Sequence, residues 1–132
     1  MAIVIDTSAL IAVLLSEPER PSLIKSTRSA ELVAPNSVHW EVGNALTAAL
    51  KRRRVTLSQA QRALTAYGAI PIRFLDVDLA LSVEVAAEHD LYAYDAYLIV
   101  CALQQRAPLL TLDAALGRAA SAAGVTLQPS VA

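Results

Sequence analysis

The sequence contains few of the residues that build several common kinds of site. Its single cysteine, Cys101, excludes an internal disulfide and a cysteine-based metal site. It lies in an apolar segment, where a buried, inert thiol is the expected role. The four glycines are scattered and form no phosphate-binding loop, which argues against a nucleotide-binding fold. The two histidines, His39 and His89, lie outside the pattern of acidic residues described below.

The chain also has little net charge and no long apolar run. A net charge of −1 points to neither a nucleic acid nor a membrane partner. Seven of the eleven lysines and arginines fall within residues 20–54, so a locally basic face is still compatible with this total. No apolar stretch reaches the roughly 18–20 residues needed to cross a membrane. The N-terminal run has no basic region and is cut by Asp6, unlike a signal peptide. We therefore expect a cytoplasmic protein.

What the chain does contain is apolar sequence arranged as alternating strands and helices. At 132 residues and 55% apolar composition, one domain over residues 1–132 is expected. Strands are predicted at Ala2–Ile5, Glu31–Ala34, Ile72–Leu75, Leu109–Leu112 and Val125–Gln128. Helices are predicted from a cap at Thr7 or Ser8 to Leu15, from Pro18 and Pro21 to Ser29, from a cap at Asn36 or Ser37 to Arg53, from Ser58 to Tyr67, from a cap at Asp78 to His89, and over residues 94–106 and 114–123. Strands joined through helices predict an α/β sandwich with a mostly parallel sheet.

Four acidic residues interrupt these apolar elements. Asp6 and Asp113 each follow a predicted strand, Glu41 breaks an apolar helical pattern, and Asp95 lies in the apolar stripe of its helix. A carboxylate on a core-facing stripe is costly to bury unless another group pairs with it. Four such residues suggest one shared partner, and a divalent metal ion is the simplest. Asn44, one helical turn after Glu41, is a candidate polar neighbour.

Topology makes a shared site plausible, although each acid has a simpler interpretation on its own. The carboxyl ends of strands share the edge where α/β sheets bind ligands, and neighbouring strands would bring Asp6 and Asp113 to about 5 Å from each other. Taken singly, these two could form turns or cap helices, Asp95 could be an N-cap, and Glu41 could be solvated. The other acids fall on polar faces or loops, as surface acids do: Glu17, Glu19, Glu84, Glu88 and Asp90.

The donor set indicates the metal and the chemistry. Clustered carboxylates repel one another until a cation enters. Oxygen ligands without histidine or cysteine favour Mg²⁺ or Mn²⁺ over zinc. Such an ion can hold a phosphate, activate a water and neutralise the developing charge, which predicts hydrolysis of phosphodiesters.

Four segments resemble those of a PIN domain, and more closely a VapC-type toxin of a type II toxin–antitoxin system. The segments are Ile3–Leu10, Glu41–Leu46, Tyr94–Ile99 and Leu110–Asp113. They occur in family order and near family spacing, and they span essentially the whole chain. Each segment alone is a weak signal, whereas the ordered set is fairly specific.

The resemblance implies a three-layer α/β/α sandwich and a ribonuclease that cuts single-stranded or looped RNA with Mg²⁺ or Mn²⁺. It also implies a homodimer and a cognate antitoxin whose tail wraps the toxin's groove. By the same analogy the catalytic metal ligands are Asp6, Glu41, Asp95 and Asp113, with Ser8 (or Thr7) and Thr111 as hydroxyl neighbours. Some relatives carry a further acid after the fourth one. Here Ala114, Ala115 and Leu116 follow, which weakens the case for a second metal.

Other functions of small α/β domains fit the sequence less well. A receiver domain needs a lysine near the last strands, but the only lysines are Lys25 and Lys51. A haloacid-dehalogenase-type phosphatase needs an aspartate where Ser8 stands. A non-catalytic RNA- or antitoxin-binding module with the same fold is the main alternative, and the complete set of acids argues against it.

Two further features have open roles. The basic run Lys51–Arg54 ends a helix, where solvated cations complement the helix dipole; the alternative is a contact with RNA phosphates. Trp40 is expected in the core or in a dimer contact, with base stacking less favoured. Among Tyr92, Tyr94 and Tyr97, core packing is the first expectation for most, and stacking of one on a base is the alternative.

Overall fold

Four short parallel strands form the sheet of the computed structural model, which describes residues 1–129. The strands are β1 (Ala2–Ile5), β2 (Glu31–Pro35), β3 (Ile72–Leu75) and β4 (Leu109–Leu110). Their order across the sheet is β3-β2-β1-β4, and every pair is parallel. The central strand β1 is almost wholly apolar and buried, as expected of a parallel strand covered on both faces.

Helices make all the connections between strands, and the described residues contain seven of them. The helices are α1 (Thr7–Leu14), α2 (Arg20–Thr27), α3 (Asn36–Lys51), α4 (Leu57–Gly68), α5 (Leu79–His89), α6 (Ala93–Gln105) and α7 (Ala114–Ala122).

The strand order divides the helices between the two faces of the sheet. From β1 to β2 to β3 the chain moves one way, so right-handed crossovers put α1 to α4 on one face. From β3 the chain returns past β2 and β1 to β4, which puts α5 and α6 on the other face. The packing agrees, because α1 contacts α2, α3 and α4, while α5 packs on α6. The predicted α/β sandwich with a parallel sheet is confirmed.

The reversal of direction lies between β1 and β4, which are hydrogen-bonded neighbours. In open α/β sheets such a switch point leaves a crevice beyond the carboxyl ends of the two strands. Asp6 follows β1 at this crevice, and Thr111 follows β4. The core beneath it is apolar and fully buried, with Ile3, Ile99 and Leu109 each 0% exposed.

Several predicted elements differ from the structure. Strand β4 ends at Leu110 rather than Leu112, because the chain turns at Thr111. The predicted last strand, Val125–Gln128, is only a single β-bridge between Leu127 and Leu109. Strand β4 has just two residues, which is too short for a longer hydrogen-bonded ladder. No helix among residues 1–129 has both the length and the apolarity to span a membrane.

Trp40 was wrongly expected in the core. Its side chain is 75% exposed, because the buried face of α3 is formed by Val38, Val42, Leu46 and Ala49. Its role as a dimer contact stays a prediction. Tyr92 and Tyr94 are also exposed, so core packing was the wrong expectation for both.

Candidate functional site

Asp6 is a buried carboxylate at the junction of β1 and α1. Its side chain is only 3% exposed. One carboxylate oxygen accepts a hydrogen bond from the Ala9 backbone N–H at 3.0 Å, which makes Asp6 the N-cap of α1. The predicted caps, Thr7 and Ser8, were therefore wrong, and the simpler interpretation of Asp6 as a helix cap is correct. Capping uses only part of the acceptor capacity of an ionised carboxylate.

Two hydroxyl groups also donate hydrogen bonds to the Asp6 carboxylate. The Ser8 hydroxyl donates to the carboxylate, with its Oγ 2.7 and 2.9 Å from the two oxygens, and the Thr111 hydroxyl also donates to it. Each hydroxyl in turn accepts a backbone N–H, from Leu112 to Ser8 at 2.9 Å and from Asp113 to Thr111 at 3.0 Å. Asp6 is thus tied to the turn after β4, so its carboxylate has a fixed orientation.

Asp113 begins α7 on the other side of the same turn. Its Oδ1 accepts the Leu116 backbone N–H at 3.1 Å, so it too is a helix N-cap, as the simpler interpretation proposed. Unlike Asp6 it is exposed to solvent. Its charge is close enough to raise the pKa of Asp6, which puts both carboxylates at the switch-point crevice.

Glu41 reaches the crevice from α3, which packs against α1. It is half-buried, and the Thr7 hydroxyl donates to its Oε2 at 3.4 Å. Thr7 and Ser8 therefore each contact a different acid, rather than being alternatives at one position. Asn44 is exposed, and within residues 1–129 no hydrogen bond joins its side chain to an acid.

Asp95 approaches from the opposite face of the sheet on α6. It is the third residue of this helix, whose N-cap position is Tyr92, so the interpretation of Asp95 as a cap was wrong. No hydrogen bond within the described part of the chain involves its carboxylate. Asp95 consequently has neither a capping role nor a fixed polar partner.

Burial and mutual repulsion raise the pKa of three of these acids. Burial is the largest cause for Asp6, and it outweighs the hydrogen bonds from Thr111, Ala9 and Ser8 that lower the pKa. Burial also raises the pKa of Glu41, and repulsion from Asp95 and Asp6 adds to it. The pKa of Asp95 is raised by burial and then by repulsion from Asp113.

The repelling pairs join into a closed ring. Asp113 acts on Asp6 and on Asp95, and Glu41 is acted on by both Asp6 and Asp95. Four elements from both faces of the sheet thus bring their carboxylates near enough to repel one another in pairs. We call these four residues, Asp6, Glu41, Asp95 and Asp113, the acidic ring.

The acidic ring suits a hard cation by its chemistry, although it is not a closed cage. All its donors are oxygens, and positive charge would relieve the repulsion between them. Across residues 1–129, no three Asp, Glu, His or Cys side chains lie close enough together to form a complete metal site as they stand. Hydrogen bonds fix the Asp6 carboxylate. The Asp95 carboxylate has no hydrogen bond within the described residues that would have to break before it turned toward an ion.

The sequence profile of PIN domains matches residues 3–122, which include the whole acidic ring. The chain belongs to the PIN domain family. No curated protein matches the sequence.

Solved structures share this PIN fold. The protein PAE2754 from Pyrobaculum aerophilum is 26% identical, with a TM-score of 0.70 over 90% of this chain and 79% of that one. The VapBC2 structure from Rickettsia felis, bound to a promoter DNA fragment, is 13% identical, with a TM-score of 0.70 over 96% and 97%. Mycobacterium tuberculosis VapC20, described as a toxin cleaving the sarcin-ricin loop, is 20% identical, with a TM-score of 0.66 over 96% and 99%.

The basic run Lys51–Arg54 lies away from the acidic ring. All four side chains are exposed, and Lys51 is ten residues beyond Glu41, about 15 Å along the axis of α3. Arg54 pairs with Glu17 at 3.7 Å, an exposed contact of little energetic weight. The interpretation as a solvated helix end fits this placement.

Sequence patterns missed the backbone groups that help to orient the acids. The backbone N–H groups of Ala9 and Leu112 have no sequence signature. The first donates a hydrogen bond to the Asp6 carboxylate, and the second donates one to the Ser8 hydroxyl. A second omission is the Asn36–Asp76 hydrogen bond at the ends of β2 and β3, since neither residue interrupts an apolar pattern.

Proposed function

We propose that this PIN domain is a metal-dependent endoribonuclease that hydrolyses RNA phosphodiester bonds with Mg²⁺ or Mn²⁺. The observation that carries the proposal is the acidic ring at the switch-point crevice of the sheet. Hydrogen bonding of Asp6 by both Ser8 and Thr111 supports it, because a catalytic carboxylate has to be held in one orientation.

In this proposal Asp6, Glu41, Asp95 and Asp113 hold the cation. When bound, the ion supplies Lewis acidity and lowers the pKa of a water that attacks phosphorus. Ser8 and Thr111 act as positioning residues, since each donates to Asp6 and accepts from the turn after β4. Thr7 has the corresponding role for Glu41. Asn44, exposed one turn further along α3, is a candidate contact for the substrate at the rim.

We further propose that the chain is the toxin of a toxin–antitoxin pair, a single domain over residues 1–132 that forms a homodimer and binds a cognate antitoxin. The support is the ordered set of four motifs together with the fold shared with VapC20 and VapBC2. A toxin–antitoxin complex from Klebsiella pneumoniae also shares the fold, at 22% identity and a TM-score of 0.58.

Incubation with RNA tests the proposed activity. Purified protein free of antitoxin is mixed with a cellular RNA pool in Mg²⁺, in Mn²⁺ and in EDTA, beside Asp95→Asn. A matched control is Asp90→Asn, which neutralises an acid outside the ring. Asp90 has φ +54°, a left-handed conformation that asparagine tolerates.

We expect discrete fragments in either metal, none in EDTA or with Asp95→Asn, and normal cleavage by Asp90→Asn. Unchanged cleavage by a folded Asp95→Asn variant, or fragments that persist in EDTA, would contradict the assignment.

The alternative is a non-catalytic RNA- or antitoxin-binding module. The observation in its favour is that no three acids yet lie close enough for a formed metal site in the described residues. RNA binding without cleavage in both Mg²⁺ and Mn²⁺ would establish this alternative.

A further inference from the structure

A second recess lies beside the acidic ring, at the carboxyl ends of β2 and β3. It has a volume of about 330 Å³. Its walls come from the end of β2 and the start of α3, from the end of β3 and the loop that follows, and from Tyr97 of α6. Both faces of the sheet therefore contribute to it, as they do to the acidic ring.

The two sites adjoin along one edge of the sheet. The strand order is β3-β2-β1-β4, with the recess over the first pair and Asp6 with Thr111 over the second. At about 4.8 Å per strand, their centres are roughly 10 Å apart. Ser37 of the recess also precedes Glu41 by four residues, which is about 6 Å along α3. A polymer bound at the acidic ring would therefore pass the recess.

Two exposed polar groups of the recess, Asn36 and Asp76, present hydrogen-bond acceptors. The Asn36 amide Nδ2 donates to Asp76 Oδ1, which ties the end of β2 to the end of β3 and orients the amide. The Asn36 carbonyl oxygen and the second carboxylate oxygen of Asp76 stay available as acceptors. Both residues are exposed, so a ligand can reach these atoms.

Ser37 adds an unsatisfied polar atom. Its Oγ is buried, yet it has no hydrogen-bond partner within the described residues. Buried hydroxyl groups are nearly always paired, so one without a partner calls for an explanation. Rotation of the Ser37 side chain toward the recess that it lines would let a ligand there supply that partner.

The remaining walls are suited to a flat ring. Leu75, Val77 and Leu79 are apolar, and Tyr97 contributes an aromatic ring. A T-shaped contact with Tyr94, at 5.8 Å between ring centroids, holds Tyr97 in place. Apolar walls, one aromatic ring and a few convergent polar groups are typical of a pocket for a small planar ligand.

We propose that this recess binds a nucleobase of the RNA close to the scissile phosphate and prefers bases with an exocyclic amino group, adenine, cytosine or guanine, over uracil. The inference rests on the proposed ribonuclease function. Asp76 and Asn36 present acceptors, which match amino donors as aspartate matches the cytosine amino group. Uracil offers carbonyl oxygens on either side of its one ring N–H, and these would face the Asp76 carboxylate.

Two readouts test the proposal. The first is the base composition around cleavage sites in a random-sequence RNA pool. The second is the affinity for labelled oligo(A), oligo(C) and oligo(U) with Ca²⁺ in place of Mg²⁺, which needs no cleavage. The variants are Asp76→Asn and Tyr97→Leu. The matched control is Asp78→Asn, which lies outside the recess and keeps a side-chain oxygen to cap α5 at the Leu81 N–H.

We expect the wild-type protein to disfavour uracil by about tenfold at one position near the cut, the size of one base-edge contact. Asp76→Asn should remove most of this preference, Tyr97→Leu should weaken binding of all three oligonucleotides, and Asp78→Asn should behave as wild type.

An identical base profile in the wild type and Asp76→Asn, or an equal shift in Asp78→Asn, would overturn the proposal. If the wild type cuts no RNA, the ribonuclease function fails, and the binding series still decides about the recess. A base preference that Asp76→Asn abolishes would support it, whereas equal affinities or no RNA binding would overturn it. Thermal unfolding confirms that each variant is folded.

Discussion

Replacing Ser8 by alanine should destabilise the protein in a pH-dependent way. The hydroxyl donates to the Asp6 carboxylate and accepts the Leu112 backbone N–H, so two contacts are lost at once. The hydrogen bond that Ser8 donates to Asp6 adds charge-assisted stability only while Asp6 is ionised. The Leu112 backbone N–H, in contrast, needs an acceptor at every pH. The substitution therefore separates an electrostatic contribution from a purely structural one.

The magnitude follows from these two contacts. A hydrogen bond to a charged group contributes about 1.5–3 kcal/mol, and a buried N–H left without an acceptor costs about 1–3 kcal/mol. Since Ser8 is half-buried and water can partly replace it, the lower end of each range applies. We expect a loss of about 2–3 kcal/mol in the free energy of unfolding at pH 7.5. Only about 1 kcal/mol should remain where Asp6 is protonated in the folded state.

The sign of the pH dependence comes from Asp6. Burial, and then repulsion from Asp113, raises the pKa of Asp6 above its ordinary value in the folded state. The folded protein therefore binds the proton more tightly than the unfolded chain, and stability falls as pH rises through the folded pKa. The hydrogen bond from Ser8 lowers this pKa, so Ser8→Ala raises it further and the loss of stability grows with pH.

Urea unfolding in EDTA, at pH 7.5 and at a pH below the folded pKa of Asp6, measures this difference. Far-ultraviolet circular dichroism is the appropriate signal, because Trp40 is exposed and would report poorly by fluorescence. Ser82→Ala is the matched control, since the fully buried Ser82 hydroxyl donates to a backbone carbonyl, that of Asp78, at 2.7 Å. Its cost should not depend on pH. An equal loss at both pH values for Ser8→Ala would refute the reasoning.

Three further predictions follow from the same geometry. At a concentration one hundred times its Kd, Mg²⁺ or Mn²⁺ should stabilise the protein by about 2.7 kcal/mol in thermal unfolding at pH 7.5. Asp95→Asn should remove most of that gain. In EDTA, lowering the pH from 7.5 through the folded pKa values of Asp6, Glu41 and Asp95 should itself stabilise the protein, because burial raises all three above their ordinary values; a flat profile would contradict this. Burial raises the pKa of Cys101 to about 11, so the native thiol should resist alkylation at pH 8 and react once unfolded, as mass spectrometry would show.

Much of the fold could be predicted from the sequence, because buried parallel strands and capped helices leave strong patterns. The bounds of Ala2–Ile5 and Ile72–Leu75 are confirmed, and Gly124, at φ +93°, follows the last helix as expected. The errors lie where tertiary contacts decide. The apolar run Leu109–Leu112 resembles a longer strand, but the hydrogen bonds of Thr111 to Asp6 and Asp113 turn the chain.

The acidic ring could be predicted only in part. Its members interrupt apolar patterns, which made them predictable one by one. The charge repulsion that helps to raise the pKa of Asp6, Glu41 and Asp95 indicates that the acids lie near one another. Which hydroxyl contacts which acid depends on how α3 packs against α1, so Thr7 and Ser8 could not be separated in advance. The recess at Asn36, Ser37 and Asp76 had no signal at all, since these polar residues lie at ordinary loop and helix-start positions.

Helix capping explains the positions of Asp6 and Asp113 but not their charge. Asparagine or serine would cap α1 and α7 about as well, and in place of Asp6 would avoid the cost of burying a carboxylate. Glu41 and Asp95 cap no helix, and burial raises the pKa of both. The raised pKa values of Asp6, Glu41 and Asp95 mean that their charges destabilise the metal-free fold at neutral pH, which requires a compensating interaction. The proposed cation supplies it for all four at once, whereas a binding module without a metal gives no reason for the ring to be acidic.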